Sequence, residues 1–496
     1  KGICKGSATM VLDGLKPERV FYYFEKLCSV PHGSGNTDEI SDMLVSFGRE
    51  MGLDVTKDGL NNVVIHKPAS EGYEDVPGLI IQGHMDMVCA KEDGCDKDMA
   101  REGLTLMTDG EFVWADKTSL GGDDGIAVAI ALAVLEDKSL KHPDIEAVFT
   151  VDEEVGMDGA FGMDMSVLKN RRLMNLDSEA SGVFTVSCAG GCRVDAVIPG
   201  RRIAAPRDFL AARLTVCGLL GGHSGTEIGK GRGNANIILG KLLDFERKHI
   251  DNLLLVDAKG GRFDNVICNY AEAVVVVPFE MINSLNSIAL RYEMMMKEEL
   301  GDNEPGFDIK FEALGSAEKL GLRPFIMGKT HRILSLWGNL KQGLVKWAED
   351  FDNLPQTSLN MGIMETGDDA FTFTYSVRSS VKEEKEELVS YLISEIKKAG
   401  GTAVRRSDYP AWPYNRDSEF RTAAMKVYED VSGSRPAVEA THGGLECGIF
   451  MERIPALDAI SLGPDLYDIH SPRERLDVKS TEELYRFVRA FLEYKA

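Results

Sequence analysis

The stretch EAVFTVDEEVG, residues 146–156, sets a short apolar run directly against three carboxylates. Ala147, Val148, Phe149 and Val151 read as one buried strand, because the run is short and rich in β-branched and aromatic side chains. Asp152, Glu153 and Glu154 follow without a spacer. Three like charges at a strand end repel one another unless something strongly positive meets them there. The stretch therefore predicts a buried strand whose C-terminal end faces a cation. In extended chain adjacent side chains point to opposite sides, so Glu153 and Glu154 are expected to face apart and to divide two tasks.

Around this strand the first 190 or so residues alternate between helical and strand patterns. Residues 18–28 and 38–51 have apolar side chains at helical spacing, and 126–135 is a nearly all-apolar helix, hence buried. Residues 62–66, 78–81 and 172–176 are strand-like, and 104–115 reads as a hairpin with Asp109-Gly110 at its turn. Alternation of this kind predicts a largely parallel sheet with helices on both faces. The middle of the chain differs. Strand-like runs at 213–217, 273–277 and 371–377 stand between long amphipathic helices at 234–249, 282–300 and 382–398, the pattern of an α+β module. Helix (419–431), strand (458–462) and helix (481–494) then return. The economical reading is an α/β fold: a mostly parallel-sheet domain built from residues 1–194 and 408–496, interrupted by an inserted α+β domain, residues 195–407.

A chain of 496 residues is too long for one ordinary core. Its 44% hydrophobic and 27% charged residues fit a soluble globular protein, and no run of eighteen apolar residues predicts a membrane span. The formal charge of -23 repels phosphate backbones, which argues against a nucleic-acid partner. Nine cysteines without a CxxC pair point to reduced thiols in a cytoplasmic protein. No signal-peptide core follows Lys1, and the residues ahead of Met10 read as a remnant before the native start.

Polar motifs follow most of the strands of the outer domain: QGHMDM at 82–87, LGGDDG at 120–125, DEE at 152–154, Asp177, and GPDLYDIHS at 463–471. Open α/β sheets place their ligand crevice at strand C-terminal ends, and His with carboxylates on one rim is metal-site chemistry. Each motif has a plain alternative. The His-x-Asp pair can be a surface pair, Asp123 and Asp124 can be helix N-caps, and Asp177 and His470 can be turn residues. Together they make a stronger case than any one of them.

The series QGHMDMV, LGGDDG, TVDEEVG, NLDSE, GGHSG, HGGLECG and SLGPDLYDIHSP resembles the M20 metallopeptidases, in particular their aminoacyl-histidine dipeptidase (cytosolic non-specific dipeptidase, peptidase D) branch. PHGSGN at 31–36, GRGNAN at 231–236 and SVRSS at 376–380 resemble the same branch, in order over nearly the whole chain. The resemblance implies two zinc ions, with Mn²⁺ or Co²⁺ as alternatives. His84 and Asp177 would hold one, Glu154 and His470 the other, with Asp123 bridging. Asp86 would orient the His84 imidazole, and Glu153 would be the general base. His223, on the inserted lid, would polarise the substrate carbonyl, in many members from a partner subunit, which raises a homodimer through the inserted domain. Arg378 would meet the substrate carboxylate, and Asn265, His442, Gly443 and Gly444 would line the substrate pocket. The family stretch RNAIPREA is replaced here by FDNVICNYA at 263–271, which keeps Asn265 and Ile267 but not the flanking charges.

Elementary electrostatics runs the same way. Asp123, Glu154 and Asp177 set three negative charges against two divalent ions, leaving +1, and a metal-bound water then ionises near pH ~7 rather than ~15.7. The activity that the resemblance implies is hydrolysis of unsubstituted dipeptides, Xaa-His among them, by a metal-bound hydroxide. The alternatives are a related N-acyl amino acid deacylase or tripeptidase, or a metal-stabilised binding protein without catalysis. The last has no need of Glu153 or His223. Two histidines weigh against an all-oxygen Ca²⁺ site.

Overall fold

The apolar run forms the strand Ile145–Thr150 of the computed structural model, and all six of its residues are buried. Successive side chains point to opposite faces, so full burial means that both faces of its sheet are covered. The strand Leu79–His84 is buried in the same way. The structure describes residues 10–495, so the expectation about the residues ahead of Met10 lies outside it.

Two compact units divide the chain. One holds the residues up to Ser187, Tyr414–Ala440 and those from Leu445 onward; the other holds Cys188–Pro413 and Thr441–Gly444. In the first unit the strand order is Asp54–Lys57, Val63–Lys67, Ile145–Thr150, Leu79–His84, Arg172–Asn175, Asp458–Ser461, Val183–Cys188, Ala437–Thr441. The middle four are parallel, with His84 paired to Thr150, Gln82 to Asn175 and Ser461 to Asn175. Antiparallel pairing begins on either side, at Val63–Lys67 and Val183–Cys188. The parallel register brings the C-terminal ends of four strands to one edge, and four of the five polar motifs follow from that edge; LGGDDG follows the hairpin strand Phe112–Ala115 of a separate sheet.

The all-apolar helix is Gly122–Glu136, buried throughout 125–135. Each buried Ile, Val or Leu contributes roughly 1.5–3 kcal/mol, so a charge at Val128 or Ile130 would break the packing. It begins earlier than its apolar pattern does, and Asp123 and Asp124 inside its first turn have non-helical angles. They are not its N-cap; Gly121, at φ 67°, holds that place. Val478–Glu493 buries Thr481, Leu484, Tyr485, Val488 and Leu492 on one stripe, and Asp477 caps it by accepting from Ser480 N at 2.6 Å. The hairpin pairs Leu106–Thr108 with Phe112–Ala115 around Asp109-Gly110.

The second unit is built on a nine-stranded antiparallel sheet. Ala212, Leu214 and Val216 alternate into a large core with Ala273, Val275 and Val277, and residues of the helices Ala235–Arg247, Ile282–Leu300, Met327–Asn339 and Lys382–Lys398 complete it. The opposite face packs a small cluster around Ala211, Leu254 and Val276. The period of two therefore sorts the helices to one face. Gly222–His223 pairs with Val266–Ile267 as a separate ribbon. The cysteines among the described residues form no disulfide, and no described helix is long and apolar enough to cross a membrane.

Candidate metal centre and active site

His84 ends its strand 1% exposed. Its Nδ1 lies 3.0 Å from the Asp86 carbonyl oxygen and 3.5 Å from Asp86 Oδ1. A proton on Nδ1 satisfies those acceptors and leaves the Nε2 lone pair free, the tautomer a metal ligand needs. Asp86 is itself held: Oδ2 accepts from the Ser34 hydroxyl at 2.8 Å, and Oδ1 from Glu153 N at 3.2 Å. The early PHGSGN motif thus reaches the site through Ser34.

His84 Nε2 is 3.1 Å from Asp123 Oδ1 and 3.5 Å from Asp177 Oδ1. His470 Nε2 is 3.1 Å from Asp123 Oδ2 and 2.8 Å from Glu154 Oε1. The two oxygens of Asp123 therefore face different histidines, each of which has a further carboxylate beside it. Potential ligand atoms of His84, Asp123 and Asp177 lie within 4.8 Å of one another, as do those of Asp123, Glu154 and His470. Asp124 turns the other way, accepting from His84 N at 3.2 Å. Its carboxylate passes so close to Gly83 that a Cβ there would lie 2.5 Å from Oδ2, so this motif position requires glycine.

Glu153 and Glu154 do not face apart. The strand stops at Thr150 and the two glutamates sit in a turn, where both join a third group with His84. Strand alternation no longer applies once the chain turns. Asp152 takes φ 57° and accepts from Gly35 N at 2.6 Å, 117 residues away in sequence.

The charges are strongly coupled. Burial pushes the Asp177 carboxyl up to about 7; the His84 charge opposes this, and Asp123 and Glu154 add to it. Burial also raises Glu153 well above the usual carboxylate range. Burial would raise Asp123, but hydrogen bonds to His470 and His84 win and hold it low. Hydrogen bonds to Asp123 and Glu154 lift His470 to about 10. Four carboxylates against two imidazoles is a donor set that calls for added positive charge, and the mixed N/O chemistry suits divalent zinc or manganese.

Sequence reasoning missed two groups here. Glu474, 2% exposed, accepts from the backbone N–H of Leu120, Gly121, Gly122 and Asp123 at 2.8, 3.2, 2.8 and 3.3 Å. It thereby fixes the loop that presents Asp123. Glu446, fully buried and raised by burial to about 7, accepts from Gln82 and Thr150. Neither pairing leaves a local signal, because the partners lie hundreds of residues apart in sequence.

The remaining candidates lie in the second unit. Arg378, 5% exposed, donates from Nη1 to Tyr409 Oη at 3.0 Å and to the His442 carbonyl oxygen at 3.4 Å. His442 Nε2 is 2.7 Å from Ser358 Oγ. Burial, and then the Arg378 charge, push this imidazole down to about 3. Arg378 Nε, His442 Nδ1 and the Ser376 hydroxyl are buried without a partner among the described residues. Gly444 lies against Tyr409, whose ring would be 2.6 Å from a Cβ. Gly443 N donates to Thr441 Oγ1 at 3.0 Å. His223 is exposed on its ribbon, and Gly225 lies between it and Arg378, within 2.9 and 3.6 Å of a Cβ placed there. Asn265 contributes its carbonyl oxygen to Ser224 N at 2.8 Å.

A family model described as peptidase family M20/M25/M40 matches residues 80–494. The chain is 33% identical over 469 residues to the cytosol non-specific dipeptidase of Escherichia coli strain K12, covering 95% of this chain and 96% of that one. Among solved structures, aminoacylhistidine dipeptidase from Vibrio alginolyticus is 34% identical, with TM-score 0.91 over 98% of this chain and 99% of that one. An aminopeptidase from Bacillus cereus, at 18% identity and TM-score 0.55 over 97% and 98% of the two chains, shares the fold alone. The order of strands and motifs, the cluster they assemble and the full-length likeness converge, and the chain belongs to peptidase family M20/M25/M40 and is a hydrolase.

Proposed function

We propose that the protein is a cytoplasmic metal-dependent dipeptidase that binds two zinc ions and cleaves unsubstituted dipeptides, with Xaa-His among its substrates. The observation that carries this reading is Asp123, whose two carboxylate oxygens face His84 and His470 separately. One ion is assigned to His84 and Asp177, the other to Glu154 and His470, and Asp123 to both. Ions so held lower the pKa of a bound water and polarise a carbonyl oxygen.

The chain's own residues do the rest. Asp86 keeps the His84 proton on Nδ1. Glu153, raised by burial, takes a proton from the attacking water at its carboxylate and returns it to the leaving amine. His223 donates to the substrate carbonyl oxygen as charge develops there. Arg378, whose buried Nε has no partner among the described residues, pairs with the substrate carboxylate. His442, Gly443, Gly444 and Asn265 line that pocket. Residues 195–407 are the part of the chain through which we assign a homodimer.

The test is elemental analysis of the purified protein together with a panel of dipeptides, tripeptides and N-acetyl amino acids. Two equivalents of zinc and dipeptide cleavage are expected. Turnover of N-acetyl amino acids or tripeptides only would replace the dipeptidase reading with one of its relatives.

A further inference from the structure

Glu446 is the first residue of the helix Glu446–Arg453, where a carboxylate ordinarily sits in water and complements the helix dipole. This one does not sit in water. It is fully buried, and its Oε2 accepts from Gln82 Nε2 at 2.7 Å and from Thr150 Oγ1 at 2.7 Å. Its Oε1 is buried with no partner among the described residues.

The two donors stand on neighbouring parallel strands, at the ends that carry the cluster. Gln82 is two residues before His84, and Thr150, which pairs with His84, is three before Glu153. Gln82 Oε1 in turn accepts from Asn175 Nδ2 at 2.7 Å, two residues before Asp177. Asn175 Oδ1 accepts from the Ser461 hydroxyl and from Asp177 N, and Ser461 Oγ is 2.8 Å from Ser178 Oγ. Ser461 spends its hydrogen on Asn175, so Ser178 must donate to Ser461. Every link then donates toward Glu446: Ser178 to Ser461, to Asn175, to Gln82, to the carboxylate. A hydrogen-bond chain of one polarity needs an acceptor at its end, and Glu446 Oε2 supplies it for both Gln82 and Thr150.

We propose that Glu446 is a positioning residue: it terminates this chain and so fixes the spacing of the strand ends that present His84, Glu153, Glu154 and Asp177. The proposal rests on the metal and proton roles assigned above to those four residues. Its action is through hydrogen bonding and not through charge. Gln at this position can still accept both bonds with its carbonyl oxygen while its amide takes the unpartnered side, whereas Ala leaves two buried donors unmet.

The experiment compares Glu446→Ala, Glu446→Gln and Thr150→Val with wild type by metal titration calorimetry and by steady-state kinetics. Misplacement of reacting groups costs on the order of 100-fold in rate, so kcat of Glu446→Ala should fall ~100-fold with KM little changed. Loss of support behind metal ligands weakens metal binding by ~10–100-fold, and the same variant should show it. Glu446→Gln should restore most of both. Thr150→Val, which removes one of the two donors and spares the fold if Glu446→Ala does not, should lie between. Wild-type metal affinity and kcat in Glu446→Ala would overturn the proposal, and so would a Glu446→Gln protein as impaired as Glu446→Ala. The calorimetry stands apart from turnover: a wild-type protein that cleaves no dipeptide sinks the functional reading, while its metal titrations still decide the role of Glu446.

Discussion

The two oxygens of Asp123 face His84 and His470 separately, and the ligand atoms around it fall in overlapping triads. His84, Glu154 and Asp177 were legible as strand-end groups, Asp123 and His470 only as polar groups in the segments beyond. How Glu153 and Asp152 are held was not legible. Both depend on a turn at Asp152 with φ 57° and on Gly35 and Asp86, which no spacing in the sequence links to them. For Glu153 the assigned role gives a direct test. Glu153→Ala should keep its metal content and lose ~10²–10⁴-fold in kcat, the range that general acid–base groups supply, as read by elemental analysis beside dipeptide turnover. His442 gives a test in stability. The unfolded chain takes up this proton near pH ~6.5, the folded chain only near 3. The unfolded state binds more protons between those values, so stability is full above the upper one and falls as the pH drops toward the lower. His442→Gln should flatten the acid limb of Tm against pH between ~6.5 and ~4.

At the scale of elements, the strands and helices that pack by regular periodicity were readable, and the loops that present the ligands were not. The helix Gly122–Glu136 was visible because no side chain of residues 126–135 prefers water, yet its first turn is bent out of helical geometry at Asp123 and Asp124. Aspartate before an apolar run is the usual sign of a cap, and only tertiary contacts displace that preference. Here they come from Glu474, four residues beyond His470, which gathers four backbone N–H groups of the loop. One side chain thus ties the segment carrying His470 to the segment carrying Asp123. Glu474→Ala leaves those four donors buried and unmet, with a cost of ~4 kcal/mol or more, since each unsatisfied group costs ~1–3. The expected result is a lower denaturant midpoint together with weaker metal binding. A variant of wild-type stability would show that water replaces the carboxylate without loss.

For the whole molecule, the α/β class followed from the alternation of patterns, and the order of motifs along nearly the entire chain carried the family resemblance. What no local pattern shows is how the charges of the cluster bear on folding. Without metal, its positive charge comes only from protons. Asp177 is raised to about 7 by burial, His470 to about 10 by hydrogen bonds to Asp123 and Glu154, and His84 well above its ordinary value as Asp177, Asp123 and Asp86 outweigh burial. Each of these groups binds its proton more tightly folded than unfolded. Asp177 contributes stability that is full below pH ~3.8 and lost as the pH rises toward 7; each histidine contributes stability full below ~6.5 and lost as the pH rises through its folded value. The metal-free protein should therefore lose stability as the pH rises from ~6 to ~9. Divalent ions held as proposed above would supply the charge directly and, binding only the folded arrangement, would stabilise it by ~4 kcal/mol at a thousandfold excess over Kd. Their advantage also grows with pH, because they no longer compete with protons for the same atoms. The Tm difference between zinc-loaded and chelator-treated protein should widen steadily from pH 6 to pH 9. A difference that stays flat or shrinks across that range would mean that these groups do not share their charge with a metal.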